Sequence, residues 1–181
     1  MNVQFQRHDG TSAKEIVDEL INVYAEVYNI PPYADDPFFS VDSFSDRLHA
    51  AFSMTGFETV TARLDNALIG YVHGVTLTAD KPWWNSLGDQ RPEALQQAAE
   101  ERQIFWLREL MVLPQHTNRG LGRQLHDTMI AGRAETTTTL TCIIDNQPAH
   151  DAYLRWGYTL MGQIKHAPES PVYDAMYLPS H

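Results

Sequence analysis

The segment from Leu113 to Arg123 combines residue types that suit the binding of an anion. Gly120 and Gly122 let the backbone approach a ligand closely, and a helical pattern of apolar residues begins at the same point. The unpaired amides and the dipole of a helix start attract negative charge, and Arg119 and Arg123 could add contacts to a pyrophosphate. The pattern predicts a phosphate-binding loop, with a tight turn or close helix packing as the open alternative.

The segment from Leu140 to Tyr158 has the residues of a capped helix that follows a strand. Asn146 is placed to cap the helix start, and Gly157 can end the helix in a left-handed conformation. Tyr153 adds a hydroxyl to an otherwise apolar helix face, where a buried phenol needs a partner. We therefore interpret Tyr153 as a candidate proton donor.

Glu109 is an acidic residue on a strongly apolar stretch that predicts a strand. A carboxylate in apolar surroundings acquires a raised pKa, which suits it to take a proton from a reacting group. An ion pair with Arg108 or Arg123 is the alternative interpretation, because such pairs also perturb pKa values. Weaker candidates for proton transfer are His116 and Asp145, with a loop or capping role as the alternative, and His73 on the third strand could face the acceptor.

Two regions expected to form loops are rich in aromatic side chains, namely Tyr28, Tyr33, Phe38, Phe39, Trp83 and Trp84. Acidic residues lie close to them in the sequence, namely Asp35, Asp36 and Asp80. Aromatic faces beside carboxylates suit an amine through cation–π contact and charge pairing. We predict that the substrate contacts Tyr33, His73, Trp83 and Trp84, with a hydrophobic lid or a dimer contact as the alternative.

Alternating strands and helices must position these residues. The hydrophobic patterns predict strands over about 3–7, 57–64, 67–77, 103–113, 137–144, 158–163 and 172–178. They predict helices over about 12–27, 41–54, 93–100, 120–134 and 147–156. A capping box starting at Ser12 is expected to open the first helix, and Asp65-Asn66 to form a two-residue hairpin turn. Residues 78–92 are left as a long connection.

Residues 103–160 resemble the acetyl-CoA-binding core of the GNAT superfamily of N-acetyltransferases. The loop pattern of that superfamily is Gln/Arg-x-x-Gly-x-Gly/Ala, and it stands here as Thr117-Asn118-Arg119-Gly120-Leu121-Gly122, with threonine departing at the first position. The resemblance implies an α/β fold of the α+β kind. Its sheet is expected to be mixed, mostly antiparallel and six- to seven-stranded, with about four flanking helices.

The resemblance also implies roles for particular residues. It implies that the cofactor contacts Met111, Val112, Leu113, Arg119, Gly120, Leu121, Gly122, Arg123 and Asn146. It makes Tyr153 the general acid, leaves Glu109 as the candidate base and implies no metal ligand. Acetyl-CoA, or another acyl-CoA, is the co-substrate that it implies.

Length and composition favour one globular domain over residues 1–181. Hydrophobic residues make up 43% and charged residues 20%, and the N-terminal residues lack the apolar block of a signal peptide or membrane span, so we expect a cytoplasmic protein. Thirteen basic and 23 acidic residues give a net charge of −10, which disfavours a nucleic-acid partner. The single cysteine, Cys142, is expected to pack inside a strand.

The leading hypothesis is therefore an acetyl-CoA-dependent N-acetyltransferase that acts on the amine of a small metabolite or antibiotic-like molecule. Two alternatives remain open at this stage. One is acetylation of a protein or peptide, and the other is a GNAT-like module that binds acyl-CoA without turnover. The predicted partner is a small-molecule amine, with no nucleic acid or membrane and with a homodimer left possible.

Overall fold

The computed structural model describes residues 2–179. Its strands are β1 (Gln4–Asp9), β2 (Glu58–Leu64), β3 (Ala67–Thr76), β4 (Ile104–Val112), β5 (Thr137–Ile143), β6 (Thr159–Ile164) and β7 (Tyr173–Leu178). Its α-helices are α1 (Gly10–Ala13), α2 (Val17–Val27), α3 (Val41–Ala51), α4 (Pro82–Ser86), α5 (Glu93–Glu100), α6 (Leu121–Ala131) and α7 (Gln147–Arg155).

The described strands form a seven-stranded sheet with the order β1-β2-β3-β4-β5-β7-β6. Strand β4 pairs in parallel with β5, whereas β1 with β2, β2 with β3, β5 with β7 and β6 with β7 pair antiparallel. The predicted fold class, a mixed and mostly antiparallel sheet combined with helices, is confirmed.

Backbone contacts divide the chain into two compact units. The first unit runs up to Val75 and also includes Leu107–Gly132, and the second comprises Thr76–Trp106 and the residues from Arg133 onward. The expectation of one domain over 1–181 stays a prediction, and its positions 1, 180 and 181 lie outside the described residues. Across residues 2–179, each helix is too short or too polar to cross a lipid bilayer.

In the first unit, helices α2 and α3 bury one face each against the apolar side chains of the strands. Leu20 and Tyr24 of α2 and Phe44 and Leu48 of α3 are almost completely buried. The spacing of four residues within each pair places both members on one side of a helix. Tyr71 of β3 anchors α2, because its hydroxyl donates a hydrogen bond to the Leu20 carbonyl over 3.0 Å.

In the second unit, β5 is built largely from threonines, whose branched side chains favour extended backbone. Thr139 is fully buried, and its hydroxyl donates to the Met176 carbonyl over 2.8 Å, so the buried polar group is satisfied. Cys142 lies on the same strand with 5% of its surface exposed, as predicted. Burial, followed by the charge of Asp174, raises the pKa of its thiol to about 12.

Two local features depart from the expectations. Asp9 caps the first helix instead of Ser12, because the Asp9 carboxylate accepts hydrogen bonds from the amides of Thr11 and Ser12 at 3.0 and 2.8 Å. The connection over 78–92 is not a plain loop, since it contains α4, which starts with a proline in its first turn and buries two tryptophans. The predicted hairpin turn at Asp65-Asn66 is confirmed, with φ of 50° and 68°.

Candidate active site

Glu109 lies on β4 in the first unit and is half-buried. The groups around it shift its pKa in opposite directions. The Tyr28 hydroxyl donates a hydrogen bond to Oε2 of Glu109 over 3.1 Å. Burial raises the pKa of the Glu109 carboxyl, while Arg47, the hydrogen bond from Tyr28 and Arg108 act in the opposite direction. A carboxylate with a raised pKa that retains solvent access has the properties of a general base.

Tyr28 remains a hydrogen-bond donor over the whole physiological pH range. Burial, followed by the negative charge of Glu109, raises the pKa of Tyr28 well above its usual value. Its ring stacks on Tyr24 with a centroid distance of 4.2 Å and meets Tyr33 at 4.6 Å. The hydroxyl is therefore held in place by the packing of aromatic rings.

A cavity of about 310 Å³ in the first unit is lined by Tyr28, whereas Glu109 is not among its described lining residues. Its lining includes the aromatic side chains of Tyr24, Tyr28, Tyr33 and Phe39 and the acidic residues Asp35 and Asp36. Its volume falls at the lower end of the range for small-molecule sites. Of the four predicted substrate contacts, Tyr33 is among the described lining residues, and the other three are not.

The predicted phosphate-binding loop has the backbone that its sequence demands. Asn118 and Gly120 adopt left-handed conformations with φ of 60° and 75°, and α6 begins directly after Gly120. Gly120, the N-cap residue of α6, has no side chain that could cap the first turn, so the amides of that turn can donate hydrogen bonds to an anion such as a pyrophosphate. Arg123 pairs with Asp127 at 2.7 Å, but both are close to half exposed, so this contact is weak.

Met111 and Val112 are the last two residues of β4, and Leu113 follows them in the same unit. The Leu113 amide donates to the Ile69 carbonyl over 2.9 Å, which ties this strand end to β3. Gly70 allows the close approach, because a Cβ there would lie 2.8 Å from the Met111 carbonyl oxygen. The backbone that the resemblance assigns to the cofactor is thus held tightly in place within the first unit.

Asn146 and Tyr153 belong to the second unit. Asn146 caps α7 as predicted, since its Oδ1 accepts a hydrogen bond from the Ala149 amide over 3.2 Å. Gly157 ends the helix region with φ of 100°, also as predicted. Tyr153 is half-buried and not fully buried as expected, because α7 is an exposed helix, and its ring packs edge-on against Trp156 at 5.4 Å.

Three predicted substrate contacts are core residues in this structure. Trp83 and Trp84 lie in α4 of the second unit with 4% and 0% of their surface exposed, and their indole nitrogens have no hydrogen-bond partner among residues 2–179. His73 lies on β3 with 2% exposed, and burial, followed by Arg108 and Arg47, lowers its pKa well below the usual value. Their roles in substrate binding stay predictions.

The remaining candidates, His116 and Asp145, lie outside the regular helices and strands. His116 ends a single 3₁₀ turn after β4, and Asp145 is exposed between β5 and α7.

The sequence did not predict the role of Arg47, which lies on α3 and lowers the pKa of the Glu109 carboxyl. No local signal marks it, because a charged residue on a surface helix usually faces solvent. Among residues 2–179, no group of three His, Cys, Asp or Glu side chains is arranged to hold a metal ion.

The match to a protein family assigns the chain to the acyltransferases that use acetyl-CoA. Residues 15–158 match the profile of the acetyltransferase (GNAT) family, which covers well over half of the chain. The chain belongs to the GNAT acetyltransferase family, so it is an acyltransferase and its co-substrate is acetyl-CoA. No curated protein matches the chain at a significant level.

Solved structures support the same fold. The PaiA N-acetyltransferase of Thermoplasma acidophilum, in complex with coenzyme A, is 14% identical with a TM-score of 0.62, covering 99% of each chain. The ribosomal-protein-S18-alanine N-acetyltransferase of Escherichia coli is 12% identical with a TM-score of 0.64, covering 99% of this chain and 94% of that one. A chimera of the Vibrio cholerae spermidine N-acetyltransferase SpeG with hSSAT is 13% identical with a TM-score of 0.62, covering 99% and 96%.

Replacing Tyr28 by phenylalanine tests whether Glu109 titrates during catalysis. The hydrogen bond from Tyr28 lowers the pKa of Glu109, so its removal raises that pKa. If the ionised carboxylate is the active form, the acidic limb of the profile of kcat/KM against pH moves to higher pH. Tyr177→Phe, on β7, is the control for the loss of a tyrosine hydroxyl, because Tyr177 is not among the groups that act on the pKa of Glu109. An unchanged acidic limb in Tyr28→Phe contradicts this prediction.

Two substitutions of Gly120 test the phosphate-binding loop. Gly120→Ala puts a Cβ on a left-handed residue, which costs about 1–2 kcal/mol and is expected to weaken acetyl-CoA binding about tenfold. Gly120→Asn is the control, because asparagine tolerates this conformation and the nearest atom to a Cβ, Nε2 of Gln124, is 3.9 Å away. Calorimetric titration with acetyl-CoA measures both, and equal affinities for the two variants would count against the loop.

Proposed function

We propose that this protein transfers the acetyl group of acetyl-CoA to the amine of a small molecule, with Glu109 as the general base. The observation that carries this proposal is the hydrogen bond between Glu109 and Tyr28, a residue that lines a cavity of small-molecule size. A base must lie within reach of the proton that it removes, and in this proposal an amine at the Tyr28 wall of the cavity reaches the carboxylate that lies 3.1 Å from the Tyr28 hydroxyl.

The electrostatics around Glu109 fit this role. Burial raises its pKa and so increases its affinity for a proton, whereas Arg47, the hydrogen bond from Tyr28 and Arg108 favour the ionised carboxylate. An ammonium ion reaches the site protonated and must lose a proton before its nitrogen can attack. In the proposal, a carboxylate oxygen of Glu109 takes that proton.

Other residues of the chain hold the co-substrate in this proposal. When bound, acetyl-CoA supplies an acetyl group that is activated as a thioester. The amides of the first turn of α6 and the side chain of Arg119 would bind its pyrophosphate, and the backbone of Met111, Val112 and Leu113 would orient the pantetheine arm. Asn146 would contact the arm, and the hydroxyl of Tyr153 would hold a proton for the departing group.

The similar solved structures include a chimera of an enzyme named for spermidine and an enzyme named for an alanine of ribosomal protein S18. For this chain, we favour the small molecule, because the cavity that Tyr28 lines has four aromatic side chains in its wall and the volume of a small ligand. A location in the cytoplasm belongs to the same proposal. If peptides are acetylated and free amines are not, the protein-modifying alternative takes its place.

The proposal is tested by a screen of free amines and of N-terminal and lysine peptides with wild-type enzyme and Glu109→Gln. The substitution keeps an oxygen that accepts the hydrogen bond from Tyr28 and removes the base. We expect kcat for the best free amine to fall about 10²- to 10⁴-fold, with the acetyl-CoA-induced rise in Tm unchanged. Binding of acetyl-CoA without transfer to any amine or peptide would support a non-catalytic module.

Tyr153→Phe tests the proposed proton donor separately. Removing one hydroxyl should lower kcat about 10²-fold and leave the affinity for acetyl-CoA as it is in the wild type. Tyr177→Phe, on β7 of the same unit, is a control for the loss of a tyrosine hydroxyl outside α7. If kcat is retained in Tyr153→Phe, the proton reaches the departing group from another source.

A further inference from the structure

The charged side chains among the described residues that line the cavity are all negative. Two of its twelve described lining residues are Asp35 and Asp36, and none of the twelve is Lys, Arg or His. Asp35 is exposed and Asp36 is half-buried, so both lie where a ligand would meet solvent. A ligand with a positive charge at this end would be attracted by both carboxylates.

The rest of the wall adds a second preference for positive charge. Tyr28, Tyr33 and Phe39 meet at mixed angles, with centroid distances of 4.6 Å between Tyr28 and Tyr33 and 4.9 Å between Tyr33 and Phe39. Aromatic faces carry partial negative charge and attract an ammonium or guanidinium group within about 6 Å. The same rings offer apolar surface to the carbon atoms of a ligand.

The wall is fixed before a ligand arrives. The Tyr24 hydroxyl donates to the Phe39 carbonyl over 3.0 Å, and Nη1 of Arg47 donates to the Phe38 carbonyl over 3.0 Å. Oδ1 of Asp36 accepts a hydrogen bond from the Phe38 amide over 2.9 Å. A wall held in this way spends little ordering entropy on binding, so its charge pattern discriminates between ligands.

We propose that this cavity binds the acceptor as a short dication, in which one amine reacts beside Glu109 and a second positive group sits among the aromatic rings and Asp35 and Asp36. The inference rests on the proposed function, because it assumes that the amine held in this cavity is the one acetylated. It excludes acceptors with a distal carboxylate, since the two aspartates repel them.

Three probes of equal chain length isolate the distal charge: 1,5-diaminopentane, 5-amino-1-pentanol and 5-aminopentanoate. We expect kcat/KM to be highest for the diamine, about tenfold lower for the amino alcohol and lowest for the amino acid, because one well-placed cation contact corresponds to about tenfold. The preference should decrease as salt is added, since the aspartates are near solvent. Equal kcat/KM values for the three probes overturn the inference.

The double variant Asp35→Asn/Asp36→Asn tests whether these two aspartates cause the preference for the diamine. Asparagine tolerates the left-handed backbone at position 35, where φ is 73°, and its amide oxygen can keep the cap at position 36. We expect the preference for the diamine over the amino alcohol to fall about tenfold. Asp42→Asn/Asp46→Asn changes the net charge equally on exposed positions of α3 that do not line the cavity, and it should keep the wild-type preference.

Failure of this inference is distinguishable from failure of the proposed function. If amines are acetylated but both double variants keep the wild-type preference, the inference is wrong and the proposed function stands. If no amine is acetylated, calorimetric binding of 1,5-diaminopentane decides the inference alone. Binding that weakens in Asp35→Asn/Asp36→Asn and not in the control supports the site, and the absence of binding overturns it.

Discussion

The burial of one carboxylate on β4 is the constraint on which the candidate site depends. Glu109 lies on a strand whose other residues are mostly apolar, and a charge removed from water is costly unless other groups compensate it. Arg47 supplies that compensation from α3, Tyr28 from the position that follows α2, and Arg108 from the same strand. The charge of Arg108 is also destabilised by burial, which lowers its pKa, and the nearby Glu109 raises that pKa again. The groups stabilise one another's charges.

Arg47 couples this charge balance to the shape of the cavity. Its guanidinium favours the ionised form of Glu109, and its Nη1 also donates to the Phe38 carbonyl in the segment that forms the cavity wall. The same guanidinium lies 5.0 Å from the ring centroid of Phe38. One side chain therefore influences both the proton affinity of the proposed base and the position of the surface that an acceptor would meet.

The sequence predicted the elements of the fold much better than the contacts of the site. Periodicity and local turn chemistry depend on neighbours in the chain, so strands, helices, the Asp65-Asn66 turn and the Asn146 cap were predictable. Tyr28 and Glu109 are 81 positions apart, and no local pattern states that they meet. Aromatic residues in a proline-rich segment suggested binding for Trp83 and Trp84 as well, but a short helix buries them. The same residue types served a core and a cavity, which only tertiary packing separates.

The buried position of Cys142 determines how this enzyme responds to reagents that attack sulfur. With a pKa of about 12, roughly one Cys142 side chain in 10⁵ is a thiolate at neutral pH, and its surface is almost closed to solvent. Disulfide-exchange dyes and mild oxidants react with thiolates, so we expect Cys142 in the folded protein not to react with them. Coenzyme A released during turnover would then be the reactive thiol in solution, and its colour reaction would report turnover against a nearly blank background.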